Sequence, residues 1–335
     1  MRLIHIIVYT LFFTQFASGQ ILNGMVLNED GAPISDVFVF ISNSNFGVLT
    51  DLDGSFELEI GDAKTVNLTC SQINYEIKAQ KVDDVSKKLE IVMIERINEL
   101  SEVNVVKKFN PKIRDRRLER FQKALLGSNY NKRKISILNP EKLLLYHDGT
   151  ALKVEINEPL VIENNQSGYL MRFFISEFTH FDNEDLIYKG SIFFDEMNLT
   201  RRLQAKANKT RRKLYRLGSR HFFRSLVQKG DIDSYVISIG IYNEKGDYYD
   251  YQIIEPESLS VKLDPKTNHY SLSIATLIKV YDKKTNAASY LKPFNDQIRW
   301  DINGNIVNSS EVEEYGYWSQ QRMASILPFD YVPRN

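Results

Sequence analysis

The chain has 335 residues, with 43 Lys and Arg against 43 Asp and Glu, a formal net charge of zero at pH 7, and one cysteine. That balance excludes a protein built as a whole for polyanion binding, and a lone cysteine excludes an intrachain disulfide framework. The length is enough for two domains.

The chain opens with MRLIHIIVYTLFFTQFASGQ. Arg2 supplies a positive start, Leu3 to Phe13 is mostly apolar, and Ala17-Ser18-Gly19 places small residues before a cleavage point. This is the pattern of a secretory signal peptide over residues 1–19. The apolar run is shorter and more interrupted than the ~20 residues a membrane span requires. The expectation is export to the periplasm or the outer-membrane periphery, with an uncleaved anchor as the alternative.

Residues 20–106 read as short strands: ILNGMVL, VFVFISN, FGVLT, SFELEI, TVNLTCS, KLEIVMI and SEVNVV. The runs are rich in β-branched and aromatic residues and are punctuated by turns, which predicts a small β-sandwich. Cys70 lies in an alternating run and reads as a small core residue rather than a reactive thiol. Thr50-Asp51-Leu52-Asp53-Gly54 has two readings, half of a calcium loop or a tight turn. An EF-hand loop needs further oxygen ligands and a closing Glu, which this stretch lacks. Asp51, Asp53 and Gly54 are therefore read as a structural turn between strands, with Gly supplying a positive φ. Asp301-Ile302-Asn303-Gly304 repeats the device.

The order Gly24-x-Val26, Asp30-Gly31-x-Pro33-Ile34, Val37-x-Val39, Thr50-Asp51-x-Asp53-Gly54-x-Phe56 and Leu100-Ser101-Glu102-Val103-x-Val105 resembles the carboxypeptidase regulatory-like domain, a prealbumin-like sandwich. Asn74-Tyr75-Glu76 departs from the Gly-Tyr turn common in that family. The resemblance implies an accessory module without catalytic residues or peptidase activity.

A helix is predicted next, over residues 107–128, linking two domains. Asn110 is a fitting N-cap, Pro111 suits the first turn, and Gly127 is a natural stop. Ile113, Arg117, Phe121 and Leu125 follow helical spacing, widened by Leu118 and Ala124. Residues 129–335 then read as a larger α+β domain, with an antiparallel sheet, a basic helical pair broken at Gly218-Ser219, and a short final helix. The fold class expected is mainly β with α+β. Phe121 to Gly127-Ser128, Ile137-Leu138-Asn139-Pro140, Glu158-Pro159-Leu160, Gly168-Tyr169 and Gly218-Ser219-x-His221-Phe222 are similar to an exported Bacteroidota family that pairs the sandwich with a domain of unknown function. That similarity carries no mechanism with it.

No recognisable catalytic motif is present. The histidines are His5, His147, His180, His221 and His269, and none begins a His-x-x-Glu or His-Glu-x-x-His pattern. Gly-x-Ser-x-Gly, P-loop and dinucleotide fingerprints are also missing. His180-Phe181-Asp182 is a weak metal candidate, read rather as a polar strand edge. Glu155, Glu163 and Glu177 are carboxylates of the type a glycosidase recruits, though abundance alone is no evidence. No catalytic residue, metal or cofactor is therefore assigned.

The main local feature is electrostatic. Residues 201–229, RRLQAKANKTRRKLYRLGSRHFFRSLVQK, hold eleven Lys or Arg and no acid. Helical spacing puts Arg202, Lys206, Lys209 and Lys213 on one face, away from Leu203, Ala207, Leu214 and Leu217. Arg114, Arg116, Arg117 and Arg120 add charge on the preceding helix. Such rows attract phosphates or carboxylates. Two readings stay open. In one the cations pair with the acid-rich stretch 155–196; in the other they contact an acidic ligand through Arg211, Arg212, Arg216, Arg220, His221 and Arg224. The function expected is a non-enzymatic envelope binding or assembly module for an envelope protein or anionic envelope ligand, compatible with peripheral membrane association and not with nucleic acid. An unrecognised glycan or peptide hydrolase in the second domain is the alternative, and a structural spacer the third reading.

Overall fold

A computed structural model describes residues 19–61, 63–96, 110–127, 130–228, 230–242 and 248–333. The signal-peptide reading, apart from Gly19, and the strand expected at 101–106 lie outside these residues. Among the described residues no helix is long and apolar enough to cross a membrane.

The first seven strands form two facing sheets. They are β1 (Gln20–Leu27), β2 (Phe38–Ile41), β3 (Gly47–Leu49), β4 (Ser55–Gly61), β5 (Val66–Ser71), β6 (Lys78–Val82) and β7 (Leu89–Val92). One sheet has the order β4-β1-β7 and the other β3-β2-β5-β6. Period-2 patterning explains the packing. In β4, Phe56, Leu58 and Ile60 point inward while Glu57 and Glu59 face out. They meet Val39, Leu68, Cys70 and Ile91 in one closed core. Burial pushes the Cys70 thiol up to about 12, so it stays protonated and serves as packing. The Asp51–Gly54 turn joins β3 to β4. Gly54 has φ +75°, and a Cβ there would lie 2.6 Å from the Val26 carbonyl. Asp53 Oδ1 accepts from the Ser55 amide at 3.1 Å and its hydroxyl at 2.7 Å, holding the carboxyl below its usual range.

Helix α1 (Pro111–Leu126) is capped at Asn110, whose side chain accepts from the Lys112 amide. It buries Phe121, Leu125 and Leu126, while Ile113, at the open end of the expected stripe, stays exposed. The sheet beneath it contains β8 (Ile135–Ile137), β9 (Leu144–His147), β10 (Ala151–Glu155), β11 (Leu160–Asn164), β12 (Tyr169–Phe181) and β13 (Leu186–Glu196). One edge of β12 pairs with β11 and then β10, and its other edge runs along β13. Adjacent aromatics go to opposite faces. Phe173, Ile192 and Phe194 join the core under α1. Phe174 and Phe193 pack instead on Phe40 of the sandwich.

Two helices follow, α2 (Arg201–Leu217) and α3 (Ser219–Gln228), broken at Gly218 as the sequence suggests. The remaining strands are β14 (Tyr235–Tyr242), β15 (Tyr248–Ile254), β16 (Val261–Asp264), β17 (His269–Ser273), β18 (Ile278–Asp282), β19 (Ala287–Pro293), β20 (Gln297–Trp300) and β21 (Val312–Gly316). They form a sheet of order β15-β14-β18-β19-β21 and a second of order β16-β17-β20. Phe222 and Phe223 of α3 pack into their shared core with Trp300. The architecture is mainly β, and among the described residues the second part holds three antiparallel sheets where one was expected. The expected final helix is a strand, β21, followed by a short 3-10 turn at Trp318–Gln320 and an irregular tail. The alternation of VEEYG suits a strand edge, and Pro328 blocks helix further on.

Candidate functional site

The fate of each basic residue follows from which stripe of α2 faces inward. Ala207, Arg211 and Tyr215, at i, i+4 and i+8, are the buried positions, and Leu203 is 48% exposed. The helix is thus rotated relative to the axis expected from its leucines. Arg211 is only 3% exposed. Its Nε donates to the Ser167 carbonyl at 2.6 Å, its Nη2 to the Gly168 carbonyl at 3.2 Å, and its Nη1 to Glu196 at 2.7 Å. The guanidinium lies 3.8 Å from the Tyr169 ring centroid.

Arg216 makes a forked pair with Asp282 at 2.9 and 3.0 Å, and also donates to the Tyr235 and Ser234 hydroxyls. Arg220 donates to the carbonyls of Pro328, Phe329 and Tyr331, tying the tail of the chain to α3. Arg224 bonds Gln228 at 2.8 Å and the Tyr215 hydroxyl at 3.3 Å. His221 Nδ1 lies 2.7 Å from the Tyr235 hydroxyl. Burial, then the charge of Arg216, lowers its pKa to about 4, so the ring is neutral near pH 7. Five of the six residues taken as ligand contacts are thus held by internal partners. Most of the Nη donors of these arginines are engaged, and Arg216 Nε and Arg220 Nε, which lack a hydrogen-bond partner, are buried, so little is offered to a ligand. The internal-pairing reading describes them, with partners drawn from Glu196 but also from Asp282 and the tail carbonyls. Arg212 alone remains exposed.

The outward face is different. Arg201, Arg202, Lys206, Lys209, Arg212 and Lys213 are all exposed. None of them makes an ion pair or side-chain hydrogen bond among the described residues. Arg202, Lys206, Lys209 and Lys213 centre on the direction opposite the buried stripe, as their spacing implied. At 1.5 Å per residue this ridge is about 16 Å long. The signal that separates the two sets was the i, i+4 run Ala207–Arg211–Tyr215, an arginine flanked by two packing residues.

The remaining sequence candidates are dispersed. Glu155 accepts from the Tyr146 hydroxyl, Glu163 from Asn165, and Glu177 pairs with Lys189 at 2.6 Å. Asp182 accepts from Arg120 at 2.9 Å and lies 3.0 Å from His147 Nε2, and both contacts lower its pKa. No cluster of three or more potential metal ligands occurs among the described residues.

The family model of the CarboxypepD_reg-like domain matches residues 22–105. This segment is a carboxypeptidase regulatory-like domain. The regulatory-like domain therefore corresponds to the sandwich built by β1 to β7. No curated protein matches the chain. Among solved structures, one similar chain belongs to a type II cohesin–X-dockerin complex, a C-terminal interface mutant, from Acetivibrio cellulolyticus. It is 19% identical, with 22% of this chain and 57% of that chain covered and a TM-score of 0.20. Another is 3-chlorocatechol 1,2-dioxygenase from Rhodococcus opacus 1CP, 14% identical, with 24% and 62% covered and a TM-score of 0.19. The chain thus spans less than two thirds of either.

Proposed function

We propose that the protein is a non-enzymatic, exported envelope module that docks on an extended anionic partner through the outward face of α2. The observation that carries this reading is the row Arg202, Lys206, Lys209 and Lys213, exposed and without internal partners on a chain of zero net charge. Natural surfaces intersperse both signs. An uncompensated row focuses potential of several kT and steers an acidic partner. The regulatory-like domain is a general β-sandwich module, which fits an accessory rather than a catalytic role. Export rests on the N-terminal sequence pattern.

The test is capture from the native envelope fraction by the immobilised mature protein, with identification of what binds. The variant R202Q/K206Q/K209Q/K213Q should lose most of the captured material while keeping its unfolding midpoint, because exposed substitutions change stability by only about 0.5 kcal/mol. Equal capture by both proteins would overturn the reading. Hydrolysis of a glycan or peptide that survives in this variant and disappears in Asp182→Asn would support the hydrolase reading instead.

A further inference from the structure

A second basic feature lies away from the α2 ridge. Arg116, Arg120 and Lys123 stand at i, i+4 and i+7 of α1, on the face turned from Phe121 and Leu125, and Gly127 caps its end. Ala124 and Gly127 put little bulk on that face, and a hollow of about 490 Å³ opens beside them. Its other walls are His180 and Glu184, from the β12–β13 hairpin, and Arg322, from the tail. The volume falls within the ~300–1,000 Å³ typical of small-ligand sites.

The walls are fixed by backbone. The Met323 amide donates to the Leu125 carbonyl at 3.1 Å, and the Asn164 side chain holds the Ala324 carbonyl at 3.0 Å, so the tail is lashed to the end of α1. Gly127 has φ +102°, and a Cβ there would sit 3.4 Å from the Arg322 Cβ. Arg120 is a structural wall. Its Nη1 is on Asp182, its Nη2 is on the His180 and Phe181 carbonyls, and its Nε donates to His180 Nδ1 at 3.1 Å. Since an arginine only donates, His180 Nδ1 must be the acceptor. The neutral ring then carries its proton on Nε2, which lies 3.4 Å from Glu184. That glutamate is 83% exposed and free to swing away.

Charge completes the picture. Arg116, Arg120, Lys123 and Arg322 face Glu119 and Glu184, a surplus of two positive charges. Glu119 pairs with Lys123 at 3.2 Å and with Lys132, outside the hollow, at 3.4 Å. Arg116 makes no ion pair or side-chain hydrogen bond among the described residues. We propose that this hollow binds a compact oxyanion, the phosphate or paired carboxylates of a small ligand, held by Arg116, Arg322, Lys123 and the His180 Nε2–H. Guanidinium forks match such groups geometrically, and the anion takes the imidazole donor in place of Glu184.

The experiment is calorimetric titration of the mature protein with inorganic phosphate and, separately, with succinate. The expected result is saturable one-site binding of at least one probe, weakened at least tenfold in Arg116→Gln/Arg322→Gln. Which probe binds tells a phosphate from a dicarboxylate ligand. Lys123→Gln, which removes only an exposed i, i+4 pair with Glu119, should weaken the same probe and leave the unfolding midpoint nearly unchanged, so that loss of binding is not loss of fold. The R202Q/K206Q/K209Q/K213Q protein should bind the probe unchanged, which separates this site from docking by α2. Neither probe binding, or binding indifferent to Arg116, Lys123 and Arg322, would overturn the proposal. Binding lost only in the α2 variant would do so too.

Discussion

Arg211 and Lys206 differ little as letters in a sequence, yet the fold uses them oppositely. Removing the Arg211 guanidinium leaves the buried Ser167 carbonyl without its donor and Glu196 without its partner, while the Gly168 carbonyl keeps the Met197 amide. We expect Arg211→Ala to cost about 2–4 kcal/mol, read from urea unfolding, because stranded buried polar groups carry their full desolvation penalty. Arg211→Lys should recover little, since an ammonium cannot span the same fork. A loss no larger than that of Lys206→Gln would contradict the structural role. His221 gives a pH test. Its folded pKa is about 4 against an ordinary 6.5, so between these values the unfolded chain binds more protons. Its contribution is complete above pH 6.5 and is lost as the pH falls towards 4, by up to about 3 kcal/mol. His221→Gln should flatten that part of the stability–pH curve; an unchanged curve would show that another group is responsible.

At the scale of elements, some of the chain was legible and some was not, for identifiable reasons. Helix α1 was announced by Asn110, Pro111 and Gly127, which act on the local backbone alone. The strands of the sandwich were legible because one face of each is solvated, so polarity alternates as in SFELEI. The rotation of α2 was not, because Leu203 outweighed Arg211 in any reading by hydropathy; only tertiary partners, the 167–168 carbonyls, make the arginine an inward residue. Phe173-Phe174 was equally opaque. A strand buried on both faces shows no alternation, so the sequence cannot say what covers the second face. The structure answers with Phe40, whose ring centroid lies 4.8 Å from that of Phe174. The basic hollow beside α1 was half visible, since Arg116 and Arg120 stood out, but Arg322 arrives from a tail more than 200 positions further on.

The whole molecule is joined along a seam between the regulatory-like domain and the β12–β13 hairpin. Phe38, Phe40, Phe174 and Phe193 form its apolar part. Ser42, Thr69 and Ser191 form a closed hydroxyl cluster with contacts of 2.7 to 3.2 Å. The Asn43 amide donates to the Ile192 carbonyl, and the Phe329 amide to the Asn43 carbonyl, so the tail reaches the seam as well. A joint packed and hydrogen-bonded in this way couples its two sides. Thermal unfolding of residues 20–335 should therefore be one transition by calorimetry. Phe40→Ala should lower stability by about 3–5 kcal/mol and split it in two. Two separate transitions in the parent protein would show that the seam does not couple them.

The proposed function rests on the one helix face that the scaffold leaves unpaired, and the most direct test of that face is salt dependence. Binding of the mature protein to its native envelope fraction should weaken steeply as ionic strength rises, since exposed charges are screened beyond about 10 Å at 0.1 M salt. With Arg202, Lys206, Lys209 and Lys213 changed to glutamine, binding should be weak and nearly independent of salt. Tight binding by that variant, with the parent's salt dependence, would contradict the account.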